Sequence, residues 1–573
     1  MVRTAAPAVR PRPAAPADRP AASAEGHPVT AGAGPAGRTQ AVVIGAGIAG
    51  LASAALLARA GYAVTVLEKQ RQVGGRAGSW ELDGFRFDTG PSWYLMPEVF
   101  DHFFKLLGTS ADEQLDLTVL DPGYRVFFEG RPEPVDIRRD RRLNQELFER
   151  LEPGAGARLG SYLDSARSTY ELAKEYFLYT SFASFRPLLA PRVLRGLPLL
   201  ARLLLQPLDA FTARFVRDRR LRQILGYPAV FLGSAPKLTP SMYHLMSHLD
   251  LDDGVLYPRG GFARVIEAVR ALAEAEGARI VTGAEVEGIL TEPAAGRHRV
   301  TGVSYRDLDG TGQILAAGTV VSAADLHHTE TALLPRPLQT YPERYWRRRV
   351  PGPGALLIML GVDGTLPQLQ HHNLLFTRDW DANFGAIFGK APTVPQPASV
   401  YVCRPSATDP AAAPAGCENL FVLVPLPADP GLGRGGVAGG GDGGLEALAD
   451  TVIAQIAQWA GIPDLAGRIR VRRTVGPADF AADFNAWRGG VLGPAHVLRQ
   501  SAFLRGSNKS RKVEGLYYAG GSTIPGIGLP MCLISAEIML KRLLGDTSTT
   551  ALPEPLPAAG ARAGGVPGAG AAR

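Results

Sequence analysis

Residues 41–70 read AVVIGAGIAGLASAALLARAGYAVTVLEKQ. The apolar run from Ala41 to Ile44 predicts a buried strand, and the small-residue turn behind it opens into an Ala- and Leu-rich helix. After Gly61, the run Ala63 to Leu67 predicts a second strand that ends at Glu68. Strand, helix and strand in that order make a βαβ unit. Gly45, Gly47 and Gly50 fall at its first turn as GxGxxG, with Ile48 and Ala49 between them at the helix start. The first glycine permits the tight turn, and the second lets the backbone approach a pyrophosphate. The third lets helix pack closely on strand, and the orphan amides of the helix N-terminus face the anion. Glu68 lies 18 residues past Gly50, followed by Lys69. It is placed to accept hydrogen bonds from an adenosine ribose, and an acid there disfavours the extra phosphate of NADP. A glycine-rich turn with a surface glutamate is the bland alternative, and the βαβ context argues against it.

GxGxxG does not separate a flavin from a nicotinamide dinucleotide, so the flanking motifs carry that distinction. Residues 73–93 read VGGRAGSWELDGFRFDTGPSW. Gly74 and Gly75 make a tight turn, and Arg76 can set a cation beside a phosphate or serve as a structural salt-bridge residue. Asp83–Gly84 suits a hairpin turn, followed by Asp88, Thr89, Gly90, Pro91 and Ser92. A second glycine cluster lies far downstream in GLYYAGGSTIPGIGLPMCLISAEIML, residues 515–540. There Leu516 to Ala519 reads as a buried strand, and Gly520–Gly521 permits close backbone approach. Pro525, Gly526 and Gly528 precede a helix entrance at Leu529, Pro530 and Met531. That entrance would aim helix amides at developing negative charge.

Between these motifs the pattern predicts a helix over 262–275. Strand-like pieces follow at Ile280–Ile289, which contains Val286, at Arg299–Tyr305 and at Ile314–Val321, with a turn at Asp309–Gly310. Further buried strands are expected at 355–361 and 420–424, and helices at 445–460 and 531–542. At 573 residues the chain exceeds a single core, and 46% apolar residues, 20% charged residues and a mean hydropathy of +0.01 exclude wholesale disorder. Much of the glycine and proline excess falls in the ends and one insertion. Residues 1–39 read as a disordered leader without the apolar stretch of a secretory signal, and 544–573 as a disordered tail. Residues 431–444 hold nine glycines in fourteen positions and read as a flexible surface loop. Cys403, Cys417 and Cys532 form no CxxC, which excludes a disulfide scaffold and a cysteine-rich zinc site.

The four motifs VVIGAGIAGLASAALLARAGYAVTVLEK, GGRAGSWELDGFRFDTGPSW, LYPRGGFARVIEAV and GLYYAGGSTIPGIGLPMCLISAE together resemble the bacterial-type phytoene desaturase family, within the flavin amine oxidase-like superfamily. The resemblance runs from about residue 39 through 543. It implies one noncovalently held FAD, a long apolar polyene substrate, and residence at the cytoplasmic face of a membrane, peripheral or monotopic. The family's first glycines carry over to Gly45, Gly47 and Gly50, its ribose acid to Glu68, and its diglycine–arginine element to Gly74, Gly75 and Arg76. Its distal flavin loop carries over to Gly520, Gly521, Pro525, Gly526, Gly528, Leu529 and Pro530. Two departures stand out: Ser522–Thr523–Ile524 where the family favours a Gly/Ser/Asp-Thr-His sequence, and Leu529 where isoleucine is usual.

The expected fold class is α/β: a Rossmann-like FAD-binding domain, an inserted mixed β-sheet substrate domain and a helical, membrane-facing subdomain. The FAD-binding domain is assigned to 40–110, 256–330 and 506–543, the substrate and membrane-facing helical region to 111–255, and the substrate domain to 331–505. The expected reaction is hydride transfer to the flavin with proton loss, creating C=C bonds, and the electrons then pass to a quinone or oxygen. The alternatives are another carotenoid-modifying flavoenzyme (an isomerase, saturase or terminal oxidase) and a nonenzymatic membrane-binding flavin-fold protein.

No apolar run of about 18 residues is present to span a bilayer. The membrane signal is instead 182–225, rich in leucine. Within it, residues 186–222 hold nine arginines against Asp209 and Asp218, a local +7 that equals the formal charge of the whole chain. Leucine can enter an interface while arginine reaches anionic headgroups. Pro187, Pro191, Pro198 and Pro207 are expected to break this segment into short pieces. A helical packing surface with solvated arginines is the competing reading. Nucleic acid is not an expected partner, because no recognition module accompanies the basic leucine-rich stretch. No motif reports the oligomeric state.

Adjacent side chains on a regular element diverge, so no metal site is expected at His327–His328 or His371–His372. Asp325 reads as a turn or domain-junction residue, and Cys532 as a buried structural thiol. Trp93, Tyr94 and the aromatic cluster at 173–185 read equally as channel lining or as core. No residue is assigned as catalytic.

Overall fold

The computed structural model describes residues 38–184 and 191–558. The expected leader, apart from its last two residues, and the tail from 559 onward lie outside the described residues.

Five parallel strands form the sheet predicted from the opening βαβ unit. Their order is Leu516–Tyr518, Thr319–Ser322, Gln40–Ile44, Ala63–Glu68 and Arg279–Thr282. A parallel sheet must be covered on both faces, and alternation along Gln40–Ile44 shows how. Ala41 and Val43 pack with the helices Ile48–Arg59, Phe262–Ala275 and Leu529–Leu544. Val42 and Ile44 pack on the opposite face with Ile289, Val303 and Val320. That face is covered by a second sheet of Glu285–Ala294, Arg297–Arg306 and Gly312–Ala316, with Val513–Glu514 added beside Arg297–Arg306.

Two expected strands each divide. Ile280–Ile289 becomes Arg279–Thr282 in the parallel sheet and Glu285–Ala294 in the second one, with Gly283 at φ +68° between them. Ile314–Val321 divides in the same way into Gly312–Ala316 and Thr319–Ser322. An apolar run records burial and not which sheet does the burying, so the crossing is invisible in hydropathy.

The substrate side is a seven-stranded mixed sheet ordered Ile469–Val475, Gly354–Asp363, Cys417–Leu426, Val400–Cys403, His372–Phe376, Tyr124–Phe128 and Val135–Ile137. Gly354–Asp363 is buried on both faces, which explains its unbroken apolar sequence. Leu356, Ile358 and Leu360 meet the helix Gly443–Ala460, and Leu357 and Met359 meet Phe85 and Phe87. The last two strands of this sheet come from within 111–255, the region assigned to substrate binding and a membrane-facing helical part. Tyr124–Phe128 pairs parallel with His372–Phe376, because a short aromatic run buried on both sides pairs as a strand. The remainder of that region is largely helical, with Arg141–Leu151, Ala155–Ala173 and Arg219–Gly226.

Three further expectations are corrected. Pro191–Leu205 is one helix that continues through Pro198, with Pro191 at its first position, where a missing N–H costs nothing. Residues 431–444 lie hydrogen-bonded along the strand Ile469–Val475. Ala438 N–H donates to Arg472 O at 2.9 Å, Thr474 N–H to Gly436 O at 2.9 Å, and Gly435 N–H to Asp479 Oδ2 at 2.7 Å. The Ala438 N–H and the Gly436 carbonyl thereby pair with the edge of that strand. The start of the expected tail also docks: Leu556 is buried, its N–H donates to Leu106 O at 3.0 Å, and Arg59 Nε donates to its carbonyl at 2.9 Å.

Candidate functional site

A cavity of about 580 Å³ runs from the parallel sheet to the seven-stranded sheet. Its polar end is built on the carboxyl ends of Gln40–Ile44 and Ala63–Glu68, where open parallel sheets bind ligands. Gly45, at φ +93°, makes the turn, and its N–H donates to Leu67 O at 2.8 Å. Gly74 follows the same contour and donates to Ala46 O at 2.9 Å. Two glycines are demanded by space: a Cβ on Gly50 would lie 1.9 Å from Gly45 O, and one on Gly90 would lie 2.0 Å from Arg76 O. Gly75, at φ +56°, leaves room only for the Cα of Gly47. Glu68 accepts the Ala46 N–H at 2.6 Å and the Gln70 N–H at 2.8 Å, which holds its carboxylate across the turn.

The distal motif closes the other side. Gly520 approaches Ala49, where a Cβ would stand 3.6 Å from the alanine methyl. Ser535 Oγ accepts the Gly520 N–H at 3.0 Å and stands 2.9 Å from Asn508 Nδ2 and from Thr523 Oγ1. Asn508 also donates to Ile524 O at 3.0 Å, so the departure Ser522–Thr523–Ile524 is an internally bonded loop. At Gly526, φ is +153° and a Cβ would stand 2.4 Å from the His496 imidazole, whose Nε2 accepts the Ile527 N–H at 3.4 Å. The helix Leu529–Leu544 then starts with Gly528 as its N-cap, and Leu529, Pro530, Met531 and Cys532 line the cavity. Arg505, behind this loop, was not singled out from sequence.

Gly45, Gly47, Ile48, Ala49, Glu68, Lys69, Gly74, Gly75, Arg76, Gly90, Pro91, Ser92 and Val286 share this one lining with Gly520, Gly521, Pro525, Gly528, Leu529, Pro530 and Met531. Gly50 and Gly526 stand behind it and provide close packing. Arg76 is half-buried, with its Nε sealed from solvent and unpartnered, and lies over the Phe484 ring at 5.6 Å. Burial lowers its pKa, while Asp325 opposes that shift. A glycine cradle, a helix start and a guanidinium whose buried Nε has no partner are the donor set a dinucleotide pyrophosphate and flavin require, so the residues fit FAD.

The other end of the cavity is apolar, with Phe177, Phe182, Phe231, Leu374, Phe376 and Phe384 among its walls. Trp93 also lines it, stacked on His372 at 4.4 Å, whereas Tyr94 belongs to the core and stacks on Phe100. Asp325 is the N-cap of Leu326–Thr331, where it accepts the His327 and His328 N–H groups, and it also lines the cavity. Cys532, expected to be buried, is half-buried and lines the cavity, and desolvation pushes its thiol up to about 11.

The family model for flavin containing amine oxidoreductases matches residues 48–538. A carotenoid 3,4-desaturase of Haloarcula japonica is 40% identical over 504 residues, which cover 88% of this chain and 98% of that protein. A zeta-carotene-forming phytoene desaturase of Myxococcus xanthus is 37% identical over 508 residues, 88% of this chain and 93% of that protein. The chain belongs to the carotenoid desaturase family. It is an FAD-dependent oxidoreductase in the amine oxidase-like superfamily. Among solved structures, an oxidoreductase of Methanosarcina mazei shares the fold with a TM-score of 0.56 and 19% identity, covering 88% of this chain and all of that one. No described helix is long and apolar enough to cross a membrane.

Sequence reading of this desaturase missed the residues that buttress the loop. Arg505, Asn508 and Ser535 carry no glycine or proline signature, and their roles depend on long-range approach. His496, which fills the space beside Gly526, carries no such signature either. Burial and the neighbouring Arg505 hold its imidazole neutral, well below the ordinary histidine range.

Proposed function

We propose that this desaturase removes two hydrogens from a long apolar polyene, of which a C40 carotenoid precursor is the reference, and leaves a new C=C bond. The observation that carries this reading is the continuity of the cavity, from a glycine-lined dinucleotide cradle to an aromatic, uncharged channel. Bound FAD supplies the two-electron acceptor that takes a hydride from an allylic carbon, and a proton leaves the adjacent carbon. The chain's own work is alignment and exclusion of water. The aromatic walls formed by Trp93, Phe231 and Phe376 confine a flat conjugated chain. The first amides of Leu529–Leu544 face the place where negative charge accumulates.

The substrate's solubility supports a membrane-surface location. Each methylene moved into water costs ~0.8 kcal/mol, so entry directly from lipid avoids a prohibitive barrier. Phe182 and Ala502 line the cavity, and the next residue, Phe503, is 51% exposed with its ring 5.9 Å from that of Phe182. Leu504, Leu199 and Leu205 are exposed as well. Apolar side chains thus continue from the cavity wall to the surface, in keeping with peripheral binding to an anionic leaflet on the cytoplasmic side. A quinone in the same lipid phase, or oxygen, would reoxidise the enzyme.

Anaerobic incubation of FAD-loaded protein with phytoene in liposomes tests the reaction. Loss of the flavin's visible absorption together with formation of a more conjugated polyene is expected. Isomerised substrate with the flavin spectrum unchanged would overturn the assignment.

A further inference from the structure

Behind the apolar half of the cavity, three metal-binding side chains face one another in a space sealed from solvent. His371, His372 and Cys403 are 4%, 0% and 1% exposed. His372 opens the strand His372–Phe376 and stands in register opposite Cys403 on Val400–Cys403. His371 precedes that strand. The alternation that sends neighbouring strand residues to opposite faces therefore does not separate the two imidazoles, whose centroids are 4.5 Å apart at 73°. This is why the expectation of no metal at His371–His372 fails to follow from strand geometry.

Each imidazole has one nitrogen in hydrogen-bond contact and one without a partner among the described residues. His371 Nδ1 lies 2.8 Å from Thr408 Oγ1, and His372 Nδ1 lies 2.8 Å from Tyr401 OH. Tyr401 OH is in turn 2.6 Å from Ser92 Oγ. With each Nδ1–H donating to an oxygen, each Nε2 keeps its lone pair, the arrangement in which outer hydrogen bonds orient metal-ligating histidines. Neither Nε2 has a hydrogen-bond partner among the described residues. A ligand atom from each of the two imidazoles and the Cys403 sulfur all lie within 4.8 Å of one another. A trigonal ion with nitrogens at about 2.0 Å and sulfur at about 2.3 Å needs ligand atoms roughly 3.5–3.7 Å apart, so binding requires the three side chains to close by at most about 1.3 Å.

We propose that His371, His372 and Cys403 bind a thiophilic d10 cation. Metal binding displaces the Cys403 proton to the buffer, so two neutral imidazoles and one thiolate make a site of net charge −1. Cu⁺ leaves that site neutral, as a buried apolar position requires, whereas Zn²⁺ leaves it positive and usually seeks a fourth ligand. Cu⁺ is therefore the favoured occupant. Bound there, it locks His372 and so the Trp93 ring stacked upon it, a wall of the substrate channel.

Tag-free, FAD-loaded protein is incubated anaerobically with Cu⁺ in one arm and Zn²⁺ in another, desalted, and assayed for metal by mass spectrometry. About one Cu⁺ per chain is expected, lost in Cys403→Ser and retained in Cys417→Ser. One retained Zn²⁺ and no copper would overturn the choice of ion; retention of neither ion, or full retention by Cys403→Ser, would overturn the site. Should Cys403→Ser fail to hold FAD, X-ray absorption of the loaded wild type decides. One sulfur and two imidazole nitrogens around the metal support the site, and a shell without sulfur overturns it.

Discussion

Arg505 donates from Nε and Nη2 to the carbonyl of Gly521 at 3.2 and 2.5 Å. One buried guanidinium thereby pins backbone that lines the dinucleotide cavity and would hold the flavin. Burial lowers its pKa to about 10, so it remains a cation at neutral pH. Hydrogen bonds to a charged group contribute about 1.5–3 kcal/mol each, and a carbonyl left unpaired after desolvation costs about as much. Arg505→Met is therefore expected to unfold at least about 2 kcal/mol more easily and to purify with little FAD. Flavin absorbance per chain and urea unfolding check this; full flavin content in the variant would show the pin to be dispensable.

Space at the glycine cradle makes a sharper prediction. Gly50→Ala drives a methyl to within 1.9 Å of Gly45 O, and Gly90→Ala does the same at 2.0 Å from Arg76 O. Backbone cannot step aside there without moving strand or helix. Both variants are expected to lose FAD, with any apoprotein destabilised by several kcal/mol, at the upper end of single-substitution effects. Gly444→Ala is the control: nothing lies near its Cβ, and it sits in the helix Gly443–Ala460, where alanine is favoured by up to about 1 kcal/mol. Flavin retention should be unchanged in it, and its midpoint of unfolding equal or higher.

These glycines were legible in the sequence because their constraint is local: a turn, a close approach and a helix start occupy neighbouring positions. The division at Gly283 was not, since Val281 and Val286 are the same apolar residue serving two different sheets. Nor was the strand Tyr124–Phe128, whose neighbour His372–Phe376 lies far along the chain. Asn508 and Ser535 are ordinary polar residues until the fold sets them 2.9 Å apart behind Gly520. The docking of Leu556 on Leu106 and Arg59 likewise depends on surfaces that a Pro- and Ala-rich composition does not announce.

Asp250 gives a pH prediction. It is buried and accepts hydrogen bonds from Tyr124 OH and Tyr227 OH at 3.0 and 2.5 Å, and burial pushes its pKa up from 3.8 to about 7. Between those two values the folded protein holds a proton that the unfolded chain has released. Stability must then fall as pH rises from about 4 to about 7, by up to ~4 kcal/mol at 1.36 kcal/mol per unit. Asp250→Asn removes that contribution. The difference in unfolding free energy between wild type and variant should therefore favour wild type most at low pH and shrink toward pH 7. A difference that stays flat across this range would place the Asp250 proton elsewhere.

The membrane reading rests on Phe503, which extends the cavity wall outward beside Phe182. Phe503→Asp places a charge where a hydrocarbon interface is expected, while the exposed ring it removes contributes nothing to the FAD cradle. Flotation with anionic liposomes should show at least a tenfold loss of binding, with flavin content unchanged. If the basic segment 186–222 supplies the attraction to headgroups, binding of the wild type should also weaken as salt is raised, because exposed charges are screened beyond about 10 Å at 0.1 M. The two effects separate: salt acts through the arginines and leaves the apolar term, whereas Phe503→Asp removes the apolar term at any salt. Vesicles that bind wild type and Phe503→Asp equally would move the point of lipid entry away from Phe182.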